Sequence, residues 1–510
     1  MTIISSKRTF VSAVILAVTC FGSAQSAGNI SSCSGLEKAA LPHATITKVS
    51  IENLETGTAC RVLVTSKPTG RSDIGIEVWI PTGAAWNGKY VQAGNGGYAG
   101  RISSDQLRSL ALKGYVAAGT DNGHQSPLTD GSWALGNPEK FADFGWRSLK
   151  ETTEVSKVLI KKSKGAGPKR SYFSGCSDGG REGLMEAQRF PKDFDGVVAG
   201  APGNYMARLM TMRVGYYQVV RRPGGYLDAP QLQLIQRAVL SQCGGTDAGF
   251  VRDPTQCQFD PGPLLCKKEG GAGECLTEPQ LASIRAIYKG WTDPRTGQSL
   301  FPGYEPGAEA QRGWKQTILG DNEASLDTSA SGYLFASSYV RFFVKADPTY
   351  DISNFDMGGE AVSGVEKTAP IIDSENPDLS AFKSHGGKLL QYHGWNDQNI
   401  PARSSLRYFN AVQTTMGNSS NFYRLFMVPG MLHCSGGASP SSVDWLATLD
   451  RWAETGVAPE NVVASEGRVT AATEAPHPVH SQLLCPYPKK ASLVGQDSSD
   501  ASNYRCSGST

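Results

Sequence analysis

Ser171-Tyr172-Phe173-Ser174-Gly175-Cys176-Ser177-Asp178-Gly179-Gly180-Arg181-Glu182-Gly183-Leu184-Met185 is the stretch on which the fold turns. Ser171 to Ser174 reads as the end of a buried strand and Arg181 onward as a helix, with Gly175-Cys176-Ser177-Asp178-Gly179 between them. A Gly-x-Ser-x-Gly pentapeptide at a sharp strand-to-helix turn presents a strained serine, and its glycines let neighbouring backbone approach without a Cβ clash. Ser177 is therefore the candidate nucleophile of a serine hydrolase. The plainer alternative is a glycine-rich turn joining two core elements.

Outward from this turn, strands and helices alternate. Upstream, Thr45 to Ile51, Cys60 to Val64 and Ile74 to Ile80 alternate apolar and polar residues, which predicts an antiparallel start to a sheet. Tyr90 to Ala93 and Tyr115 to Thr120 read as further strands, closing at Gly94-Asn95-Gly96-Gly97 and Asp121-Asn122-Gly123-His124. The one-sided apolar face of Leu149, Val155, Val158, Leu159 and Ile160 predicts a helix from about Arg147 to Lys162. Phe194 to Ala199, Lys388 to Tyr392 and Tyr423 to Val428 complete a mostly parallel sheet with helices on both faces.

Between about Asn204 and Gly364 the rhythm breaks. Asp228 caps one helix running to Leu240, Thr277 and Gln280 form the capping box of another, and four cysteines stand close together among irregular stretches. This reads as an inserted lid. The expected organisation is a leader over 1–27, the first part of the core over 28–203, the lid over 204–364 and the second part of the core over 365–510.

Lys7-Arg8, an apolar run from Phe10 to Phe21 and small residues around Ala24 to Ala27 have the layout of a secretory signal peptide. Of 49 Lys and Arg residues two lie in that leader, which leaves the mature chain formally neutral against 47 Asp and Glu. Such a surface argues against nucleic acid or an anionic membrane as a partner. No later stretch is long and apolar enough to span a bilayer. Past Cys20, ten cysteines remain, an even count that behind a leader implies disulfides in an oxidising compartment, so the chain is expected to be secreted or periplasmic.

A serine hydroxyl needs a histidine to take its proton and a carboxylate to orient that histidine. On this sheet the order should be Ser, then Asp or Glu, then His, each on a loop after a strand. Asp397 follows Lys388 to Tyr392 through His393-Gly394-Trp395-Asn396, and His433 follows the last strand in Val428-Pro429-Gly430-Met431-Leu432-His433-Cys434. Asp373 and Asp378 are the rival acids, in a proline-containing loop. His43, His385, His477 and His480 read as surface or structural, and His124 and His393 as residues that shape the site or satisfy hydrogen bonds. Cys176 precedes the serine and Cys434 follows the histidine. A bridge between them would hold their α-carbons roughly 5 to 6 Å apart, a separation suited to a serine-histidine pair.

Gly-Cys-Ser-Asp-Gly-Gly-Arg, Tyr-His-Gly-Trp-Asn-Asp and Val-Pro-Gly-Met-Leu-His-Cys, in that order, resemble the signature blocks of the tannase and feruloyl esterase family. The resemblance runs from about Cys33 to Cys506. It implies an α/β-hydrolase fold with a large inserted lid, and hydrolysis of esters of aromatic acids such as gallate or ferulate. It also implies the pairs Cys33-Cys60, Cys243-Cys257, Cys266-Cys275 and Cys485-Cys506, besides Cys176-Cys434. The oxyanion hole would combine the N–H of Asp178 with Gly96 or Gly97. Tyr333, Phe335 and Tyr339 are the expected lid residues against the acyl group.

Two departures from the family pattern matter. Relatives commonly carry a calcium loop between the cysteines matched by Cys243 and Cys257. Here that loop is shorter and keeps only Asp247 and Asp253, short of the six to eight oxygens calcium takes, so no cofactor is expected to be required. Relatives that cleave terephthalate monoesters carry an arginine upstream of the lid phenylalanine. No arginine occurs between Trp314 and Tyr339, which points the expectation to a phenolic acid. The alternatives are terephthalate-type monoesters or short aliphatic esters on the same fold, or a non-catalytic binding protein on a hydrolase scaffold.

Overall fold

A computed structural model describes residues 1–2, 33–267, 273–466 and 479–508. The leader, apart from its first two residues, and His477 lie outside the described residues. Among the described residues the main sheet has nine strands in the order β1-β2-β3-β5-β4-β6-β7-β10-β11. These are β1 Ala44–Leu54, β2 Gly57–Ser66, β3 Ile74–Pro81, β4 Lys89–Ala93, β5 Val116–Thr120, β6 Arg170–Cys176, β7 Gly196–Gly200, β10 Lys388–Gly394 and β11 Tyr423–Val428. A separate ribbon pairs β8 Trp291–Thr292 with β9 Ser299–Phe301.

β1, β2, β3 and β5 pair antiparallel, and from β5 through β4, β6, β7 and β10 to β11 every pair is parallel. β5, β7 and β11 are buried at every position, as parallel strands covered on both faces must be. Successive side chains part to opposite faces. Phe173, Val197, Leu389 and Leu425 pack with Leu149, Leu159 and Leu184, from helices Ser148–Lys164 and Asp178–Arg189. Their neighbours Tyr172, Val198, Leu390 and Phe426 pack with Trp445, Leu449 and Trp452 of helix Trp445–Thr455 on the other side. Burying each large apolar chain contributes roughly 1.5–3 kcal/mol, so the alternation holds the strand register firmly.

The helix expected from about Arg147 is Ser148–Lys164. It is entered through a π turn over Asp143–Arg147 and closed by Gly165 at φ 76°, a left-handed cap that suits glycine. Between β7 and β10 the chain leaves the sheet. The expected capping box of Thr277 with Gln280 forms there, and Asp228, expected as a cap, forms a second box with Gln231; they open helices Glu278–Lys289 and Ala229–Gln242. Helix Met206–Val220 is apolar on nearly every side and correspondingly buried, packed against Glu278–Lys289, Ser331–Ser338 and Gly359–Ile372. Disulfides join Cys33–Cys60, Cys176–Cys434, Cys243–Cys257, Cys266–Cys275 and Cys485–Cys506.

Candidate active site

Four loops meet at the C-terminal edge of the parallel strands, where open α/β sheets place their sites. β6 ends at Cys176, and helix Asp178–Arg189 begins one residue beyond Ser177, which is left at φ 65°, ψ −121°. Such a conformation costs a non-glycine residue about 1–3 kcal/mol and persists only where its surroundings over-determine it. Here the Ser177 N–H donates to Gly200 O at 2.9 Å, and Ser177 O accepts from the N–H of Gly203 at 3.0 Å and of Gly180 and Arg181 at 3.1 Å. The flanking glycines are required by space: a Cβ on Gly175 would lie 2.5 Å from the Gly179 carbonyl, and one on Gly94 would lie 2.5 Å from Gly179 Cα.

Asp397 and His433 arrive from the loops after β10 and β11. His433 Nδ1 stands 2.7 Å from Asp397 Oδ2. The other carboxylate oxygen, Oδ1, accepts the backbone N–H of Asn399 at 2.7 Å and of Ile400 at 2.8 Å. Burial pushes the Asp397 carboxyl up, but the His433 charge and the hydrogen bonds from His393 and His433 outweigh it and hold the group well below the usual carboxylate range. The Cys176–Cys434 bridge ties the elbow to the histidine loop with its α-carbons 6.0 Å apart. Cys434 itself sits at φ 65°.

Ser177 and His433 open on one cavity of about 340 Å³, which Asp178, Gly96, Gly97 and Phe335 also line. Asp178 is the first residue of its helix, so its N–H is among the donors left without an intrahelical partner, at the positive end of the helix dipole. Its carboxylate is turned aside by Arg181 Nε at 2.5 Å. Gly97 adopts φ 58°, and a Cβ there would come within 2.6 Å of Leu128 O and 2.8 Å of Phe335 Cζ. The glycine loop is steadied from behind by Glu182, which accepts from Asn95 N and from Asn122 Nδ2, each at 2.8 Å. Burial, and then the Asp178 charge, push the Glu182 carboxyl up to about 8.

Of the three aromatic residues expected against the acyl group, the structure brings only Phe335 to the cavity. Tyr333 packs edge-on to Tyr217 at 5.4 Å, and the Tyr339 hydroxyl bonds Thr368 Oγ1 at 2.9 Å in the core. Tyr333 lies two residues from Phe335, on another face of helix Ser331–Ser338. Tyr339 begins a π-helical stretch, Tyr339–Lys345, whose wider turn shifts the face. Sequence reasoning missed Arg213, which reaches the same cavity from helix Met206–Val220. It is buried, and its guanidinium lies 5.5 Å from the Phe335 ring centroid. Nη2 donates to Asn399 O at 2.5 Å, Nη1 lies 3.7 Å from the Met210 sulfur, the Tyr304 hydroxyl is a further neighbour, and Nε has no hydrogen-bond partner among the described residues. Among the described residues it forms no salt bridge, whereas Arg181, equally buried, has Asp178. The all-round apolar pattern of its helix gave no cue that one polar residue would face a site.

His124 bonds Tyr98 O through Nε2 at 2.8 Å and stacks on Trp133, and burial holds its proton affinity below the ordinary histidine value. Asp373 is buried in contact with Ala207 N, away from both histidines of the Asp397 pair. In the loop between Cys243 and Cys257, Asp247 is exposed and Asp253 spends both oxygens, Oδ1 on Thr255 and Oδ2 on Lys490 Nζ at 2.6 Å. An ammonium group on that oxygen competes with a calcium ion, so the residues present do not fit the family's calcium loop. Among the described residues no group of three or more His, Cys, Asp or Glu is placed to hold a metal.

The family model described as tannase and feruloyl esterase matches residues 60–507. The chain belongs to the tannase and feruloyl esterase family. It is 35% identical to an uncharacterised esterase of Xanthomonas campestris pv. campestris, with 88% of this chain and 84% of that one covered. It is 31% identical to a probable feruloyl esterase of Arthroderma benhamiae, with 88% and 85% covered. The crystal structure of feruloyl esterase B from Aspergillus oryzae superposes with a TM-score of 0.83 at 27% identity, covering 94% of this chain and 99% of that one. Tannin acyl hydrolase from Aspergillus niger, at 22% identity and a TM-score of 0.75 over 94% and 95%, shares the fold. The protein is thus an α/β-hydrolase and a carboxylic ester hydrolase, and the binding-protein reading falls away.

Proposed function

We propose that this esterase cleaves esters of aromatic, phenolic acids through Ser177, His433 and Asp397. The observation that carries the reading is the 2.7 Å pair between His433 Nδ1 and Asp397 Oδ2, set on the same cavity as a strained Ser177. Ser177 Oγ attacks the ester carbonyl and gives its proton to His433. The oxyanion then faces the N–H of Asp178 and the Gly96-Gly97 loop. As the tetrahedral species collapses, the C–O bond breaks and His433 returns the proton to the leaving alcohol. Water repeats the sequence on the acyl-enzyme and releases the acid. Asp397 holds the imidazole and stabilises the imidazolium that forms. Five disulfides suit an oxidising compartment, and no helix among the described residues is long and apolar enough to cross a membrane. The disulfides support export to the periplasm or beyond.

The cavity wall of Phe335, Met206, Met210 and Leu209 suits the face of an aromatic acyl group. One observation favours a second reading, the terephthalate-type monoester: Arg213 lines that wall without a carboxylate of its own. A panel of gallate, ferulate and terephthalate monoesters separates the two. Ser177→Ala and His433→Ala are each expected to lower turnover by several orders of magnitude in folded protein. Hydrolysis persisting in Ser177→Ala would end the assignment.

A further inference from the structure

Asp397 has two imidazoles on one oxygen. Besides His433 Nδ1, His393 Nε2 stands 3.2 Å from Oδ2. His393 occupies the end of β10 and is fully buried. Its proton positions follow from its partners. Nε2 lies 3.1 Å from Ile400 O as well as beside the carboxylate, and both of these can only accept, so Nε2 carries a hydrogen. Nδ1 lies 2.7 Å from Ser405 Oγ. That hydroxyl already accepts from Gln391 Nε2 at 2.6 Å, and Gln391 Oε1 in turn accepts the Tyr423 hydroxyl at 2.5 Å. The direction of the chain leaves Ser405 one hydrogen to give, and Nδ1 receives it. The chain then runs from donor to acceptor at each link from Tyr423 to Ser405 and on to Nδ1, and the single ring hydrogen, on Nε2, is shared between Ile400 O and Asp397 Oδ2.

We propose that His393 is a positioning residue for the reaction, a neutral imidazole locked with its hydrogen on Nε2 that divides the charge of Asp397 between two histidines. The inference rests on the Ser177, His433 and Asp397 reading. Oδ1 is taken by the N–H groups of Asn399 and Ile400, so Oδ2 is the oxygen that His433 feels most directly, and without a second donor there the carboxylate would raise the proton affinity of that ring. A second N–H on the same oxygen draws part of that charge away, and also fixes the carboxylate's rotation. The other groups around the pair leave this role to His393. The N–H groups of Asn399 and Ile400 go to Oδ1 rather than Oδ2, burial pushes the phenols of Tyr304 and Tyr392 up, Gln398 Oε1 takes the His433 backbone N–H at 3.2 Å, and Arg213 is directed to Asn399 O.

The test compares His393→Phe, which keeps the ring and removes the donor, with His393→Gln, which restores an N–H at the same reach. A hydrogen bond to a charged group matters enough that His393→Phe should move the acidic limb of the kcat/KM profile to higher pH by about half to one unit. It should also lower the plateau by about tenfold, and His393→Gln should recover both in part. A folded His393→Phe protein whose acidic limb stays at the wild-type position would overturn the proposal. Wild-type protein labelled with ¹⁵N at histidine gives a reading independent of whether either variant folds. At the pH of the assay the His393 signals should report the Nε2–H tautomer, and an Nδ1–H tautomer there would refute it. The tautomer readout does not depend on Ser177, so failure here is distinguishable from failure of the triad reading, which Ser177→Ala decides.

Discussion

Removing the Cys176–Cys434 bridge by the double change Cys176→Ala, Cys434→Ala separates two effects that the structure allows to be weighed. The bridge spans 258 residues. Chain-entropy models give a loop of that size about 5.5 kcal/mol at 25 °C, and residual structure in the denatured chain commonly lowers the figure. That effect is global, visible in the melting transition and nowhere else. The second effect is local. Ser177 and Cys434 both sit at φ 65°. For a residue other than glycine a left-handed backbone costs about 1–2 kcal/mol, a sum the bridge helps to hold in place at Cys434. Once it is cut, relaxation of residue 434 is favourable by an amount near the 1.4 kcal/mol that shifts an equilibrium tenfold. His433 is the residue that moves with it. Displacement of a catalytic group by about an ångström can cost roughly a hundredfold in rate.

The expected result is a loss of kcat/KM of between about tenfold and a hundredfold, measured well below the variant's own melting transition, where tryptophan fluorescence and circular dichroism report native protein. The companion variant Cys176→Ala, Cys434→Gly discriminates the cause. Glycine adopts φ 65° without the Cβ penalty, so this protein should keep more activity than the double alanine while being no more stable. A folded double-alanine protein with wild-type kcat/KM would refute the geometric part of the reasoning. Equal losses in the two variants would show that strain at residue 434 is not the cause.

Gly97→Ala should fold and lose about a hundredfold or more in kcat, because its methyl would meet Leu128 O and the Phe335 ring where the oxyanion loop lines the cavity; near-normal turnover would show that the loop is a plain turn. Burial pushes the Asp373 carboxyl up to about 8, so the folded state holds a proton there that the unfolded chain has lost, and stability should fall as pH rises between about 4 and 8 by roughly 1 kcal/mol per unit. Asp373→Asn should flatten that slope in urea midpoints measured across the window and leave esterase activity intact; an unchanged slope would remove Asp373 as its source. Chelation should leave the melting temperature where it is, since Asp253 is committed to Thr255 and Lys490, and a drop restored by calcium would contradict the donor geometry.

What could be read in advance was local backbone chemistry. Gly175 and Gly179 are needed because two backbones meet there, and the loops after β4, β10 and β11 announce themselves by buried strands running into glycine-bearing turns. Alternation along Tyr172-Phe173, Val197-Val198 and Leu389-Leu390 is written in residue order, so the sheet was legible to within about three residues at each end. The bounds drifted most at the β1–β2 hairpin, where pairing continues through Leu54 and Gly57, and β10 extends to Gly394 rather than closing at Tyr392 where it runs into the site.

The cavity wall was not legible for a different reason: its residues belong to helices whose facing is set by contacts hundreds of residues away. Tyr333, Phe335 and Tyr339 look equivalent as aromatic residues of one segment, yet a change of helical pitch at Tyr339 separates them, and no single residue type signals it. Arg213 sits in a helix whose other residues read as core, and what makes it notable is a missing partner, which only the packed structure can reveal. His393 was read as a residue satisfying hydrogen bonds. Its proton assignment depends on Ser405, Gln391 and Tyr423, drawn from the following helix and from two strands. On the proposed reading, the chemistry sits on turns that sequence spells out, while the choice of acid falls to side chains from the segment between β7 and β10, Phe335 and Arg213 among them. Substitutions at Phe335 and Arg213 are accordingly where relatives with the same three turns should diverge in substrate.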